Sequence, residues 1–264
     1  MPISIQLKKL TTALPASRIF GNSIEVIANC PSTNDELKQR ISAGLPADQT
    51  LLLCNHQTSG RGRSARDWWS GAAGENLSFS LGLKFEGLPP HIVGLIGACA
   101  VANVVQRLLP RQRLAIKWPN DIMINDKKAA GFLCELPAAT KILVLGLGLN
   151  VGTKPTAETV GYATSCIADF RPNLTPTQIL VLWMFEFEKM MLCYSTHGSS
   201  NFENCFLDYL KAWAPNGVRI PTSEKQGALL KFSVTNGLTI GTKAEHFTQK
   251  METISRLEKL NDDT

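Results

Sequence analysis

The chain has no two cysteines close enough in sequence to work as a pair. Its seven, at 30, 54, 99, 134, 166, 193 and 205, are odd in number and never nearer than 12 residues. That excludes a C-x-x-C metal or redox motif, argues against a disulfide framework, and suits thiols buried in a reducing cytoplasm. The four histidines (56, 91, 197, 246) are equally scattered, so no metal-ligating cluster is expected. No charged segment followed by an apolar core and a small-residue cleavage site opens the chain, so no signal peptide is expected. The longest nearly apolar run, Ile92 to Val105, is 14 residues, right for a buried helix and short for a bilayer. Neither G-x-x-x-x-G-K-[ST] nor G-x-S-x-G occurs, which removes P-loop nucleotidases and serine hydrolases. Charge is modest: 19% of residues, net +5, with basic residues scattered apart from positions 61–66 and Lys127–Lys128. That disfavours a surface that wraps duplex DNA and favours small phosphate-bearing ligands or acidic partners.

What is present is ample material for a soluble core, 264 residues of which 44% are hydrophobic, and one unusual loop. Within CNHQTSGRGRSARDWWSGAAGENLSFS, residues 54–80, Gly60 to Arg66 sets three guanidiniums among small side chains. Small residues lower the steric cost of a tight turn, and arginine offers a forked, permanent donor to phosphate oxygens. Taken alone, the loop could equally be a solvated basic turn. Its formal match to a dinucleotide fingerprint, with Glu86 as the distant acid, fails because Asp67 to Gly74 has no apolar period with which to open a helix.

Around this loop the pattern predicts a strand at Ser23–Ala28 after a Gly21–Asn22 turn, and a helix starting near Ser32–Thr33. Thr33 with Glu36, or Ser32 with Asp35, could form a capping box there. Strands follow at Thr50–Cys54, Leu77–Leu81, Leu114–Ile116, Ile122–Ile124 and Lys141–Leu145, with a helix over His91–Leu109. Thr175-Pro176-Thr177-Gln178 starts a helix running to about Cys193, and another spans Phe202–Trp213. A boundary near 214 separates residues 1–214 from a small β unit, 215–264, marked by an Asn236-Gly237 hairpin. Residues 250–264 read as frayed or as a terminal helix. Lys117 and Lys128 flank Asn120 and Asp121 at a spacing that could turn both amines and the carboxylate into one cleft. Gly146 and Gly148 leave one strand face open to a flat ligand or another backbone.

Taken in order, S-T-N, Q-T-x-G-R-G-R-x-x-R-x-W, N-L-x-x-S, K-W-P-N-D-I, K-x-x-G and G-x-G-x-N resemble the motif series of biotin protein ligases, also called biotin–[acetyl-CoA-carboxylase] ligases. The resemblance is close over about residues 20–151 and is to the monofunctional type without an N-terminal DNA-binding domain. It implies an α/β (α+β) fold, with a mixed-sheet class II synthetase-like catalytic domain followed by a small, shortened SH3-like β domain. It also implies a two-step activity: biotin and ATP, with Mg2+, give biotinyl-5′-AMP, and biotin then passes to one lysine of a biotin carboxyl carrier protein or domain of a carboxylase. By matched position, Ser32, Thr33, Gln57, Gly60, Arg61, Arg63, Lys128, Gly131, Gly146 and Gly148 correspond to biotin-binding residues. Arg63, Arg66, Trp68, Lys117, Asn120 and Asn150 correspond to ATP-binding residues. Arg61, Arg63, Lys128 and Asp121 are the implied catalytic set, Asp121 orienting or deprotonating the acceptor amine. The resemblance implies neither DNA nor membrane as a partner and leaves a homodimer open. Two departures stand out: Ala65 replaces a loop glycine, which should slow loop closure, and the C-terminal unit has little room for its usual first strands. A lipoate- or octanoate-type ligase, or a biotin-binding regulator without turnover, are the alternative readings.

Overall fold

A computed structural model describes residues 19–20, 23–84, 88–138, 140–242 and 244–260. The Gly21–Asn22 turn and Glu86 lie outside these residues. The first unit is a seven-stranded sheet in the order β1-β2-β3-β7-β6-β5-β4. Its strands are β1 Ser23–Cys30, β2 Thr50–Gln57, β3 Leu77–Lys84, β4 Leu114–Lys117, β5 Asp121–Ile124, β6 Lys127–Glu135 and β7 Ile142–Leu149. Only β1 and β2 run parallel, joined by helix α1, Thr33–Ser42; every other pair in the sheet is antiparallel. Asn125 and Asp126, both at positive φ, make the tight β5–β6 turn.

The two faces of the sheet differ because side chains alternate along its strands. Leu77, Phe79 and Leu81 of β3 and Leu145, Leu147 and Leu149 of β7 enter one large core. That core is covered by α2, Pro90–Leu108, α4, Pro176–His197, and α5, Ser200–Trp213, with the short α3, Ala157–Val160, falling between α2 and α4 in the sequence. Helix α2 is apolar all round and, among the described residues, the one helix long and apolar enough to cross a membrane; here 67% of its most apolar window is buried within the protein. Trp183 of α4 lies 4.7 Å from Phe79 and stacks on Phe187 at 4.9 Å, and its indole N–H donates to the Gly97 carbonyl at 3.2 Å. Each fully buried aromatic of this kind contributes about 1.5–3 kcal/mol. Helix α4 starts as expected: the Thr175 hydroxyl accepts from the Gln178 N–H and the Gln178 side chain accepts from the Thr175 N–H. The helix runs four residues past Cys193, to His197.

A second, five-stranded sheet has the order β11-β10-β9-β8-β12. It comprises β8 Val218–Ile220, β9 Lys225–Ser233, β10 Gly237–Gly241, β11 His246–Gln249 and β12 Glu258–Lys259. Two expectations are corrected here. Residues 250–260 are not a terminal helix: β12 pairs with β8, and Met251, Ile254 and Leu257 are buried, while residues 261–264 lie outside the described residues. The unit is also less truncated than it reads, because a three-residue β8 fits ahead of β9 and the outer strand comes from the end of the chain. The two sheets share one apolar cluster, with Phe206 of α5 4.7 Å from Phe232, and Trp118 donating its indole N–H to the Ile254 carbonyl at 3.0 Å.

Candidate functional site

Opposite the large core, the sheet carries small and polar side chains. In register across β4, β5, β6, β7 and β3 stand Lys117, Asp121, Gly131, Gly148 and Ser78. Register partners share a face, so residues from four sequence motifs form one row. Two residues along, Leu133, Gly146, Ser80 and Leu52 form the next row. Here α1 covers the sheet through Leu37, packed on Leu52 and Val144. A Cβ on Gly148 would overlap the Trp68 indole, and one on Gly146 the Asn34 carboxamide. The flat group that the glycines admit is thus the protein's own indole. A Cβ on Gly131 would meet nothing closer than 3.6 Å, its neighbours being Asp121, Lys128 and Trp68.

One end of this floor is basic. The Lys128 ammonium lies 2.8 Å from Asp121 Oδ1, with both side chains about one-fifth exposed (19% and 20%). It also sits 5.8 Å from the Trp68 ring centroid and 5.3 Å from that of Tyr162, close enough for cation–π attraction to both. Arg63 faces the same carboxylate. Burial pulls its guanidinium below the usual range, Asp121 opposes this, and the Arg66 cation adds to it. The Arg63 and Arg66 guanidiniums make no hydrogen bond or ion pair among the described residues, which leaves their donors available. Lys117, exposed at the strand end, is in the same condition. Asn150 donates its amide to the Ser165 carbonyl at 3.1 Å, while its Oδ1 is buried without a partner among the described residues. Asn120 has its side-chain amide tied to the Phe132 carbonyl at 2.5 Å, while its backbone carbonyl accepts the Phe132 N–H at 3.1 Å.

At the other end, Gln57 Oε1 accepts from both the Thr33 N–H (2.8 Å) and hydroxyl (3.1 Å), and Gln57 Nε2 lies 3.4 Å from Ser70 Oγ. Ser80 Oγ lies 2.7 Å from Thr33 Oγ1 and 2.5 Å from Asn34 Oδ1. The expected capping box is absent. Ser32 occupies the N-cap position, buried, but makes no side-chain cap bond, and the Thr33 hydroxyl donates to Gln57 rather than serving the helix start. Arg61 turns to this end as well, forking onto Asp35. The three arginines are therefore divided, Arg61 toward α1 and Arg63 toward Asp121, with Arg66 beside Arg63. The loop folds back on itself through Trp68 N–H to the Gly60 carbonyl (2.8 Å) and Gly62 N–H to the Arg66 carbonyl (2.7 Å). Its left-handed residue is Ser64, at φ 56°.

Sequence reasoning singled out neither Asn34, Asp35, Ser80, Glu135 nor Tyr162 as site residues. Asn34 and Ser80 end the S-T-N and N-L-x-x-S motifs, a usable signal. Asp35, Glu135 and Tyr162 have none, since only the fold carries them here. Asn76, from the same motif as Ser80, is structural: its Oδ1 accepts the Val151 N–H at 2.8 Å. No group of three His, Cys, Asp or Glu side chains among the described residues could hold a metal ion.

Residues 26–151 match the family model of the Biotin/lipoate A/B protein ligase family. The chain is 36% identical over 137 residues to a biotin–[acetyl-CoA-carboxylase] ligase of Mycobacterium tuberculosis, covering 50% of each protein. It is 32% identical over 164 residues to the bifunctional ligase/repressor BirA of Escherichia coli, covering 61% of this chain and 50% of BirA. The chain thus spans about half the length of these curated relatives. Its fold is that of the Aquifex aeolicus biotin protein ligase solved with biotin and ATP, with a TM-score of 0.76, 22% identity, 90% of this chain and 100% of that one.

Proposed function

We propose, from the match of residues 26–151 to the Biotin/lipoate A/B protein ligase family model, that the chain activates biotin with ATP and transfers it to a lysine of a carboxylase's carrier domain. The observation that carries this is the register row Lys117–Asp121–Gly131–Gly148–Ser78, with Lys128 2.8 Å from Asp121 at its edge. The two glycines of that row, beside Lys128 and the unpaired Lys117 ammonium, suit a flat acid lying against a triphosphate.

In the first step a biotin carboxylate oxygen attacks the α-phosphorus, the α–β P–O bond breaks, and pyrophosphate leaves. Two anions must meet, so Lys128 and Arg63 lower the repulsion and stabilise the charge that develops on phosphorus. Lys117, Arg66, Asn120 and Asn150 belong to the nucleotide side. The buried, unpartnered Asn150 Oδ1 is an acceptor suited to a ligand N–H or O–H. Trp68, over Gly148, must yield to the ligand or form its wall. Ser32, Thr33 and Gln57 answer the ureido head of biotin, joined by Ser80 and Asn34. That polar end supports biotin over lipoate, whose dithiolane ring would leave such groups unpaired. In the second step the acceptor amine attacks the acyl carbon, AMP leaves and an amide forms, with Asp121 placed to take the amine's proton. Mg2+ would travel with the nucleotide phosphates, since no protein cluster to ligate it occurs among the described residues. The division at residue 214 and a cytoplasmic setting for seven free thiols belong to the same proposal.

Incubation with ATP and biotin should release pyrophosphate and give biotinyl-AMP by mass spectrometry, and adding a carrier domain should shift that domain by one biotin. Adenylate with lipoate but not biotin, or with neither, overturns the reading.

A further inference from the structure

A carboxamide can present either a donor or an acceptor, and its hydrogen-bond partners decide which way it turns. Asn34 is buried at the second position of α1. Its Nδ2 faces two groups that only accept, Glu135 Oε2 at 2.7 Å and the Leu133 carbonyl at 3.3 Å. The reverse orientation would set Oδ1 against a carboxylate and a carbonyl, so Oδ1 faces Ser80 Oγ, 2.5 Å away. The carboxylate that fixes this comes from the end of β6. Burial alone would raise the Glu135 carboxyl, but hydrogen bonds from Lys38 (2.8 Å) and Asn34, with the Arg61 guanidinium 3.5 Å away, hold it below the usual range. It is therefore ionised at neutral pH and has no proton to offer Asn34.

The neighbouring side chains inherit this direction. The Thr33 N–H donates to Gln57 Oε1, so that oxygen faces Thr33, and the Thr33 hydroxyl beside it can only donate. Ser80 is left with one hydroxyl proton for two oxygens, Thr33 Oγ1 at 2.7 Å and Asn34 Oδ1. Thr33, Ser80 and Asn34 thus carry more lone pairs than protons, and they form the accepting part of the polar end. The Asn34 carboxamide lies there over Gly146, in the space a Cβ would take.

We propose that Glu135 is a positioning residue that does not touch the ligand: it pins the Asn34 carbonyl toward Ser80, so that this part of the floor takes hydrogen bonds from N–H groups on the head of the bound acid. That the acid is biotin rests on the ligase reading; the orientation of Asn34 by Glu135 does not.

Exchanging donor and acceptor across the 2.7 Å contact tests the assignment. Asn34→Asp alone sets two carboxylates face to face and should lower the melting temperature. Adding Glu135→Gln, whose amide can donate to the new carboxylate, should restore it while keeping an oxygen toward Ser80. Equal melting of Asn34→Asp with and without Glu135→Gln overturns the orientation. Glu135→Gln alone lets the Asn34 carboxamide turn over. Biotin affinity by calorimetric titration should then fall about tenfold, the scale of one hydrogen bond. The KM for biotin should rise as much with kcat nearly constant, the mark of lost binding rather than lost chemistry. In Asn34→Asp/Glu135→Gln the affinity should return to within about threefold of the natural chain. Unchanged affinity in Glu135→Gln overturns the positioning role, and so does a double variant that melts like the natural chain yet still binds biotin about tenfold more weakly. If the natural chain neither binds biotin nor forms an adenylate, the ligase reading fails, while the melting temperatures still decide whether Glu135 orients Asn34.

Discussion

The two faces of the seven-stranded sheet are made by the same strands and differ residue by residue. On one face β3 presents Leu77, Phe79 and Leu81, and β7 presents Leu145, Leu147 and Leu149; on the other the same strands present Ser78, Ser80, Gly146 and Gly148. The first face buries apolar area against three helices and holds the fold together. The second gives up that area and keeps a floor on which Trp68, Asn34 and Lys128 converge. Stability and chemistry are thus separated by the two-residue period of a strand, and a substitution should disturb one without the other.

The sharpest break of that separation is Phe79→Ala. Phe79 is fully buried, so about 3–5 kcal/mol of stability should go, read by chemical denaturation, while the KM for biotin in the fraction still folded stays near its natural value. Next comes Lys128→Met on the other face. It should lower biotin-dependent pyrophosphate exchange by roughly 10²–10³-fold, the scale of one lost charge-stabilising group, with little change in melting, because Lys128 is partly exposed. The smallest effect concerns Glu186, a carboxylate buried on the apolar side. Burial would raise its pKa, but hydrogen bonds from Arg107 and Asn103 hold it below the ordinary 4.5. A depressed folded pKa gives stability that is present above the unfolded value and lost as pH falls through the folded one. Below pH 4.5, Glu186→Gln should therefore lose stability less steeply than the natural chain, as measured by melting temperature against pH.

The apolar face was legible because leucine and phenylalanine at every second position announce a buried strand. The floor was legible for a different reason: its glycines, serine and lysines sit in motifs whose order carries the family resemblance. Asp35 and Glu135 were not, since a helix-start acid and a strand-end acid are ordinary features until the fold brings both to Arg61. The failed capping box has the same origin, for Ser32 and Thr33 fit one locally and only the arrival of Gln57 from β2 redirects the hydroxyl. Likewise the strand at Glu258–Lys259 was not legible in the sequence, because its pairing with β8 is non-local.

Gly131 offers the most direct test of the floor. A methyl there meets nothing closer than 3.6 Å, so the protein can accept Gly131→Ala without rearrangement, with an unchanged or slightly raised melting temperature. If a ligand lies on this floor, calorimetric titration should show biotin binding weakened at least about tenfold. Unchanged biotin affinity in a variant that melts like the natural chain would contradict the account.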